Sequence, residues 1–384
     1  MRDILGTMLI GLVAIGTLLG VTGDVVDVLQ REPAPIEARL QRVLDRGVES
    51  RRSSYPGAVL YVDSEPSGIW SGVAGLANAA TGEAMTADSR FCIGSITKTF
   101  VATVVLQLME EGVIDLDASI DIYLPENLPV AISNMERITV RMLLNHTSGI
   151  PEWLTEDVIA RLTEDPSTVW KIDEVLRIAM AQDMPFEPGE GYAYSNTDYT
   201  ILGLIIEEQT GVSWEDQVRA RVLDPLDLID TVIRNPGETS PLPRMARGYV
   251  AMGRDLMDLT LTDPSMAGAA GGNVMVSTAK DLAYFITALL DGELFTSAQT
   301  LDEMLGFVDA PDENGIPYWY GLGLERYDID GVNFIGHAGG AVGYSTVMYV
   351  APDAGITLVA SHNAYDLGAA YLDLMIPALK QLGK

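Results

Sequence analysis

The residues with the clearest chemical potential are Ser95 and Lys98, three positions apart at the start of an apolar segment. On a helix this spacing places both side chains on one face, where a lysine amine can reach a serine hydroxyl. An amine that burial keeps neutral can take the proton of that hydroxyl, which is otherwise a poor nucleophile. The helix N-terminus also favours developing negative charge. The pair therefore predicts a nucleophilic serine activated by a lysine.

The same S-x-x-K pattern occurs a second time, at Ser277 and Lys280, so it is weak evidence when taken alone. In this second copy Thr278 and Asp281 form a T-x-x-D capping box in front of apolar residues at helical spacing. We therefore interpret the second copy as the start of a helix without chemistry. The first copy differs because two further polar motifs follow it in the chain.

These two motifs could complete a catalytic site. Tyr194 and Asn196 lie in a loop rich in proline and glycine that runs into a helical pattern. A tyrosine near cations can carry a proton to or from a leaving group, and an asparagine can orient both a lysine and a substrate amide. The segment 337–340 follows a predicted strand, and its small residues permit close approach of a substrate or an oxyanion-binding N–H. Singly, each motif is equally consistent with a loop, a helix cap or a strand end.

The composition excludes several classes of function. The 384 residues include 24 Lys and Arg against 54 Asp and Glu, a net charge of −30, which argues against a nucleic-acid partner. Hydrophobic residues make up 48% and charged residues 20%, as in a globular protein with a large core. With one cysteine, Cys92, no internal disulfide forms, and we interpret its thiol as a buried hydrophobe. No zinc spacing, P-loop or dinucleotide motif is present, so the sequence implies no metal and no cofactor.

Residues 1–23 form a separate N-terminal segment, because positions 4–23 carry no charge. This length suits a signal peptide or a membrane anchor, and a buried N-terminal helix is the third interpretation. Residues 24–35 then form a linker. The first two interpretations predict an exported protein, periplasmic or extracellular, with membrane association if the segment is retained.

The remaining chain, residues 36–384, reads as one α/β domain with two lobes. Strand patterns lie near both ends, so we expect an antiparallel sheet flanked by helices and built from about 36–113 and 255–384. A mainly helical lobe, about 114–254, is inserted between them. A cleft between the lobes is the natural place for a site, and the stretch 252–270 is predicted to be a loop over it. The oligomeric state stays open.

The three motifs in this order resemble the serine penicillin-recognising family, most like its Streptomyces-type D-alanyl-D-alanine carboxypeptidases. The resemblance covers about residues 37–363 and includes the S-x-x-K box, the Y-x-N box and the H/K-T-G box, here His337-Ala338-Gly339. Secondary matches are Asp121-Ile122-Tyr123-Leu124-Pro125, Leu143-Leu144-Asn145-His146-Thr147-Ser148-Gly149 and Tyr320-Gly321-Leu322-Gly323-Leu324. The resemblance implies the β-lactamase/DD-peptidase fold and a serine hydrolase working through an acyl-enzyme.

The resemblance also implies roles for the catalytic residues. Ser95 would accept the acyl group, Lys98 would be its proton partner, and Tyr194 would shuttle the proton to and from the leaving group. His337 would support Tyr194 electrostatically, as a hydrogen-bond donor or a cation. Which group is the acylation base stays open within this superfamily.

Substrate binding is implied for three further positions. Asn196 would bind the substrate amide, and Gly339 and Gly340 would lie along the substrate. The N–H groups of Ser95 and Gly340 would form the oxyanion hole.

Two departures from the carboxypeptidase pattern affect the substrate. Ala338 replaces a threonine whose hydroxyl helps to hold a terminal carboxylate, and Glu325 stands where that branch has an arginine. Both changes weaken recognition of a free carboxylate. We therefore expect carboxypeptidase-like hydrolysis of a small peptide such as a cell-wall peptide, with a carboxylesterase as the alternative and a β-lactamase as a less favoured one. A catalytically silent binding protein is disfavoured because all three boxes retain functional side chains.

Overall fold

The computed structural model describes residues 34–49, 55–65, 67–128, 130–238, 240–253, 255–311 and 316–383. The predicted N-terminal segment 1–23 and nearly all of the predicted linker lie outside these residues, so both stay predictions. Among the helices that are described, none combines the length and apolar composition needed to cross a bilayer.

One antiparallel sheet organises the described part of the chain. Nine strands lie in it in the order β3-β2-β1-β14-β13-β12-β11-β10-β9. Strands from the two chain ends meet at its centre, where β1 pairs with β14 in the register Ala58↔His362. This confirms the α/β class and the predicted antiparallel sheet.

The strands of this sheet are as follows: β1 Gly57–Ser64, β2 Gly68–Asn78, β3 Glu83–Ala84, β9 Val308–Asp309, β10 Tyr318–Tyr320, β11 Glu325–Ile329, β12 Val332–Ala341, β13 Tyr344–Ala351 and β14 Ile356–His362. Two smaller sheets lie beside it, with the orders β4-β8-β5 and β6-β7. Their strands are β4 Phe91–Cys92, β5 Val232–Ile233, β6 Tyr249–Met252, β7 Asp255–Asp258 and β8 Met275–Ser277.

The described α-helices flank the sheet or lie between its two halves in the chain. They are α1 Ile36–Glu49, α2 Thr97–Glu110, α3 Val140–Leu144, α4 Glu156–Glu164, α5 Ile172–Met180, α6 Asn196–Thr210, α7 Trp214–Val218, α8 Ala279–Leu290, α9 Ala298–Met304, α10 Leu367–Ala369 and α11 Ile376–Leu382. Helices α3 to α7 fall inside the predicted helical lobe, whose exact boundaries stay a prediction.

Each face of the sheet is covered by its own hydrophobic core. Alternation along β1 sends Val59 to the core that contains α2, α6 and α8, and sends Ala58 and Leu60 to the core that contains α1 and α11. Helix α2 is enclosed on most sides, because eleven of its 14 residues are buried. This burial explains its apolar, charge-poor sequence and gives its first turn a rigid setting.

Three details differ from or refine the sequence predictions. The stretch predicted as a loop over the cleft begins at the last residue of β6 and contains β7, which pairs with β6, and two short 3-10 turns, at Pro264–Met266 and Gly268–Ala270. The predicted last helix is present: the π-helical segment Ala370–Met375 joins α10 to α11, and Pro377 lies in the first turn of α11, where the helix type changes. Cys92 is buried in β4, as predicted.

Candidate active site

Ser95 and Lys98 share a continuous helical start. Ser95 lies in the 3-10 turn Gly94–Ile96, which leads directly into α2, and Lys98 is the second residue of α2. The Nζ of Lys98 is 3.1 Å from the Oγ of Ser95. Ser95 is half-buried whereas Lys98 is fully buried. The predicted serine–lysine pair is thus in hydrogen-bond contact, with the hydroxyl on the accessible side.

The buried amine of Lys98 has two further hydrogen-bond partners. Its Nζ donates to the Oδ1 of Asn196 at 2.7 Å and to the carbonyl oxygen of Ala270 at 2.5 Å. Burial lowers the pKa of Lys98 to about 7, and the carboxylates of Glu152, Glu325 and, when ionised, Asp198 oppose this shift. A large fraction of this amine is therefore neutral near pH 7, as a proton acceptor for Ser95 requires.

Tyr194 is the other hydroxyl beside the nucleophile. Burial raises the pKa of Tyr194 well above its usual range, although a hydrogen bond with Ser95 acts in the opposite direction. The Nζ of Lys98 lies 4.9 Å from the centre of the Tyr194 ring. Tyr194 is therefore a neutral phenol at rest, which suits a proton carrier between Ser95 and a leaving group better than a resting base.

Asn196 begins α6 and links Lys98 to a carboxylate. Its Oδ1 accepts from Lys98, while its backbone N and its Nδ2 donate to the Oε2 of Glu152 at 2.7 and 3.0 Å. The other oxygen of Glu152 accepts the N–H of Leu154 at 2.6 Å. Glu152 therefore fixes the orientation of the Asn196 amide, and through it the position of the Lys98 amine.

His337 has different partners from those expected. Its Nδ1 lies 2.6 Å from the carbonyl oxygen of Ala338, and its Nε2 lies 2.8 Å from the hydroxyl of Tyr320. Nδ1 therefore carries the proton and Nε2 accepts one. Burial, together with the nearby Lys98, lowers the pKa of His337 to about 3. The lowered pKa favours a neutral ring over a cation, although Nδ1 also lies 3.6 Å from the Oε1 of Glu325. That His337 supports Tyr194 stays a prediction.

Gly339, in the H/K-T-G box, and Gly340 directly after it bring β12 against the turn that carries Ser95. A Cβ on Gly339 would lie 1.8 Å from the carbonyl oxygen of Ile93, and one on Gly94 would lie 2.4 Å from that of Gly340. Gly94 also has a φ of +55°, which favours glycine. Only glycine at these positions allows the backbones of Ser95 and Gly340, the predicted oxyanion donors, to lie on adjoining segments.

Glu325 occupies the edge of β12 beside the third box. Strand β11 pairs with β12 from Ile329↔Val332 to Glu325↔Gly336. One step further along β12, the N–H of Ala338 donates to the Oε2 of Glu325 at 3.0 Å. The hydroxyl of Tyr349 also donates to this carboxylate. A buried carboxyl group therefore already accepts the N–H of Ala338 at this position.

Comparison with known proteins places this geometry in a family. The family model described as Beta-lactamase matches residues 40–373, which is most of the chain. The chain belongs to the beta-lactamase family. The predicted resemblance to serine penicillin-recognising proteins is therefore confirmed.

Relatives within the beta-lactamase family span several activities. Penicillin-binding protein 4 of Amycolatopsis lactamdurans is 31% identical over 349 residues, 85% of this chain and 86% of that protein. Esterase EstB of Burkholderia gladioli is 34% identical over 206 residues, 52% of each chain, so the match spans only about half of that esterase.

Two solved structures are similar over nearly the whole fold. The D-stereospecific amidohydrolase of Streptomyces sp. has a TM-score of 0.76 at 33% identity, covering 88% of this chain and 98% of that one. The D-amino acid amidase of Ochrobactrum anthropi SV3 has a TM-score of 0.77 at 28% identity, covering 90% and 99%. These relatives establish the coarser assignment: this beta-lactamase family member is a serine hydrolase that acts by acyl transfer.

Sequence reasoning found most of the site and missed its supports. The structure brings together Ser95, Lys98, Tyr194, Asn196 and the glycines of the third box. It adds Glu152, Tyr320 and the carbonyl of Ala270, which were not predicted as site residues. Tyr320 lies inside one of the secondary family matches and Glu152 lies just after another. These two segments are therefore the parts of the sequence that could have indicated them. The carbonyl of Ala270 belongs to the backbone, so no residue type in the sequence could indicate its role. Among the described residues no cluster of three or more metal-binding side chains is found.

Proposed function

We propose that the protein hydrolyses amides and esters of D-amino acids through an acyl-enzyme on Ser95, with leaving groups that carry no free carboxylate. The single observation that carries this choice is the Glu325 carboxylate bound to the N–H of Ala338 at the edge of β12. The carboxypeptidase activity expected from the resemblance stays a prediction, and this carboxylate argues against it.

Acylation begins at the serine–lysine pair. The Oγ of Ser95 attacks the substrate carbonyl carbon while its proton passes to the neutral Nζ of Lys98, 3.1 Å away. The proton then travels through the hydroxyl of Tyr194 to the leaving amine or alcohol as the carbonyl carbon loses that group. Lys98 is the better candidate for the base because its pKa is about 7, whereas the pKa of Tyr194 lies well above its usual range.

Negative charge on the carbonyl oxygen needs fixed donors. The N–H groups of Ser95 and Gly340 supply them from two packed backbone segments. Water then attacks the acyl-enzyme, and the same residues return the proton to Ser95 as the acid leaves. His337 is neutral, so its contribution is to hold Tyr320 and the carbonyl of Ala338 in place.

Charge repulsion explains the proposed leaving-group preference. Two unit charges about 4 Å apart repel by about 1 kcal/mol in water and about 4 kcal/mol at an effective dielectric constant of about 20. A terminal carboxylate beside Glu325 would meet this repulsion, and it would find the N–H of Ala338 already bonded. Amides and esters without that charge avoid both costs.

The D-amino-acyl part of the proposal is supported by two of the comparisons. The Streptomyces and Ochrobactrum structures carry the names D-stereospecific amidohydrolase and D-amino acid amidase, and each matches about nine tenths of this chain. Esterase EstB matches only 52% of it. Esters are included because their alkoxide leaves more readily than an amine from the same acyl-enzyme chemistry.

A pair of substrates tests the proposal directly. D-alanyl-D-alanine and D-alanyl-D-alaninamide share the scissile bond and the acyl group and differ only in the terminal charge. We expect kcat/KM for the amide to exceed that for the acid by at least about tenfold, which corresponds to about 1.4 kcal/mol. In the isosteric variant Glu325→Gln the ratio should fall towards one, chiefly through faster turnover of the acid.

Other outcomes separate the alternatives. A wild-type preference for the free acid would return the carboxypeptidase hypothesis. Turnover of short-chain esters with neither dipeptide cleaved would favour the esterase. Hydrolysis of a penicillin faster than of either dipeptide would favour a β-lactamase. Ser95→Ala should abolish every one of these activities, which ties each measurement to the site.

We also propose that the protein is exported from the cytoplasm. The support is the uncharged stretch at positions 4–23 of the sequence. Intact-mass measurement on protein from fractionated cells tests this proposal. A periplasmic or secreted species lacking about 23 residues indicates a signal peptide, and a full-length species in the membrane fraction indicates an anchor. Full-length protein in the cytoplasmic fraction would contradict export.

A further inference from the structure

Behind Tyr194 lies a chain of three buried polar side chains that the reaction does not use. The Oγ of Ser148 lies 2.6 Å from the Oδ1 of Asp198, and the Oδ2 of Asp198 lies 3.0 Å from the Nδ1 of His146. All three residues have an exposed fraction of 1% or less. We call them the Ser148–Asp198–His146 chain.

Backbone donors at both ends fix the direction of every hydrogen bond in this chain. At one end, the N–H of Ile150 donates to the Oγ of Ser148 at 2.9 Å, so the Ser148 hydroxyl proton is free to point at Asp198. At the other end, the N–H of Ser195 donates to the Nδ1 of His146 at 3.3 Å. A ring nitrogen that accepts a hydrogen bond carries no proton of its own.

This geometry favours a proton on Asp198, and the single lone pair of Nδ1 then accepts both that proton, across 3.0 Å, and the N–H of Ser195 at 3.3 Å. An ionised Asp198 would direct a lone pair at the unprotonated Nδ1 of His146 across 3.0 Å, with no hydrogen between them. We propose that the Ser148–Asp198–His146 chain is uncharged, with the proton of Asp198 on Oδ2 and that of His146 on Nε2, and that it positions the segment 194–196 beside Lys98. Asp198 and His146 are thus positioning residues, not catalytic ones.

The surroundings of His146 agree with this assignment. Its Nε2 has no hydrogen-bond partner among the described residues. The ring lies among tyrosines, with centres 4.4 Å from Tyr194, 4.7 Å from Tyr320 and 5.4 Å from Tyr199. A buried N–H among aromatic rings can make weak favourable contacts with their faces. The same ring contacts hold Tyr194 in place.

The absence of charge matters for Lys98. An anionic Asp198 would raise the pKa of the Lys98 amine and so reduce the neutral fraction that can accept the Ser95 proton. Burial raises the pKa of Asp198 well above its usual range and lowers the pKa of His146 well below its usual range.

Several titratable side chains on neighbouring elements also face the Ser148–Asp198–His146 chain. They are Lys98 on α2, Glu152, Tyr192 and Tyr194 in loops, Tyr199 on α6, Tyr320 on β10 and His337 on β12.

Nitrogen NMR of the histidines tests the proton positions without any activity. The sequence contains only three histidines, so spectra of histidine-15N-labelled full-length protein are simple, and a His146→Gln variant assigns the signal. We expect a neutral His146 with its proton on Nε2 from about pH 5 to pH 9. His337 should show the opposite tautomer, because its Nδ1 faces the carbonyl of Ala338. A cationic His146, or one protonated on Nδ1, would overturn the proposal.

Two variants of Asp198 test whether this residue positions the segment 194–196. The test rests on the proposed function only because it uses the amide substrate proposed there. Asp198→Asn keeps an acceptor for Ser148 and an N–H donor for His146, whereas Asp198→Ala keeps neither. We expect kcat to be at least about tenfold lower in Asp198→Ala than in Asp198→Asn. In Asp198→Asn, the acid limb of the kcat/KM profile, where activity falls at low pH, should lie at the same pH as in the wild type. If Asp198 were ionised, Asp198→Asn would remove a negative charge near Lys98 and move that limb to lower pH, which overturns the proposal.

Failure of the proposed function gives a different pattern. If none of the amides or esters is turned over, the tautomer of His146 still decides the proton positions. Thermal unfolding then replaces kcat: Asp198→Asn should melt close to the wild type and Asp198→Ala clearly below it. Equal destabilisation by both variants would contradict an uncharged chain.

Discussion

The two S-x-x-K sequences of this chain have the same spacing and opposite outcomes. Ser95 lies in a turn whose flanking residues Ile93 and Thr97 have helical backbone angles, so the spacing of three brings its hydroxyl to Lys98. In the second copy Ser277 ends strand β8, and Thr278 has an extended backbone with ψ of 159°. That extended residue breaks the helical spacing, and the Oγ of Ser277 pairs with Thr231 at 2.8 Å.

The two lysines differ in environment as much as the two serines. Lys98 is fully buried under Asn196 and Ala270, whereas Lys280 is exposed on α8. Burial is the main cause of the lowered pKa of Lys98, and it is absent at Lys280. The comparison shows that a tetrapeptide becomes catalytic through its backbone conformation and enclosure, and the predictions below test that conclusion.

The largest difference is expected between the two serines. Ser95→Ala should lower kcat on D-alanyl-D-alaninamide at least about 1000-fold, because it removes the hydroxyl that accepts the acyl group. Ser277→Ala should retain activity within about twofold. Steady-state kinetics measures both, and intact mass after rapid quenching should show an acyl adduct in the wild type and in Ser277→Ala only. An adduct that persists in Ser95→Ala would remove Ser95 as the nucleophile.

Substitutions of the two lysines should differ almost as widely in their effect on kcat. Lys98→Ala removes the proton acceptor and leaves the Oδ1 of Asn196 and the carbonyl of Ala270 without their donor, so we expect a loss of at least about 100-fold in kcat. Lys280→Ala serves as the matched control and should change kcat less than twofold. Burst kinetics with an activated ester would show whether the acylation step is the one that slows. Full activity in Lys98→Ala would transfer the base role to another group.

The site could be predicted from the sequence where a motif supplies both the residue and its local geometry. Ser95 and Lys98 meet through one helical turn. Their roles were indicated by spacing, whereas the role of Asn196 at the start of the next helix came from the family resemblance. His337 shows the limit. Its residue type suggested a cation, but its charge depends on Tyr320 and on burial under a distant part of the chain, which no local pattern encodes.

The fold shows the same division. The short apolar runs of β1 and β2 and the longer apolar run of α2 indicated a hairpin and a buried helix directly, since each element's pattern reflects its own burial. The β6-β7 hairpin was missed because its strands carry Met and Asp residues that are mostly exposed and show no alternation. The Ser148–Asp198–His146 chain was also missed, because it joins residues 50 positions apart in the sequence.

The pH dependence of acylation should be set by the pKa of Lys98 and should not depend on Lys280. With a pKa of about 7, the amine of Lys98 is mostly neutral above pH 7 and protonated below it, so kcat/KM should rise about tenfold per unit at low pH and level off above pH 7. Lys280→Ala should show the same profile. Stopped-flow acylation across a pH series makes the measurement. A profile that is flat down to about pH 5 would mean that the proton acceptor is not this amine.

The smallest expected effect concerns the second copy as a helix start. The Oγ1 of Thr278 accepts the N–H of Asp281 at 3.2 Å, which caps α8 as the sequence predicted. The Asp281 carboxylate instead accepts from the Oγ1 of Thr231 at 2.9 Å and from the N–H of Asp230 at 3.1 Å. Thr278→Ala should therefore cost about 1 kcal/mol in the free energy of unfolding, measured by urea denaturation, and leave kcat unchanged. Thr278→Ser, which keeps the capping oxygen, should be nearly neutral. A loss of activity in Thr278→Ala without a loss of stability would mean that the second copy contributes to the site after all.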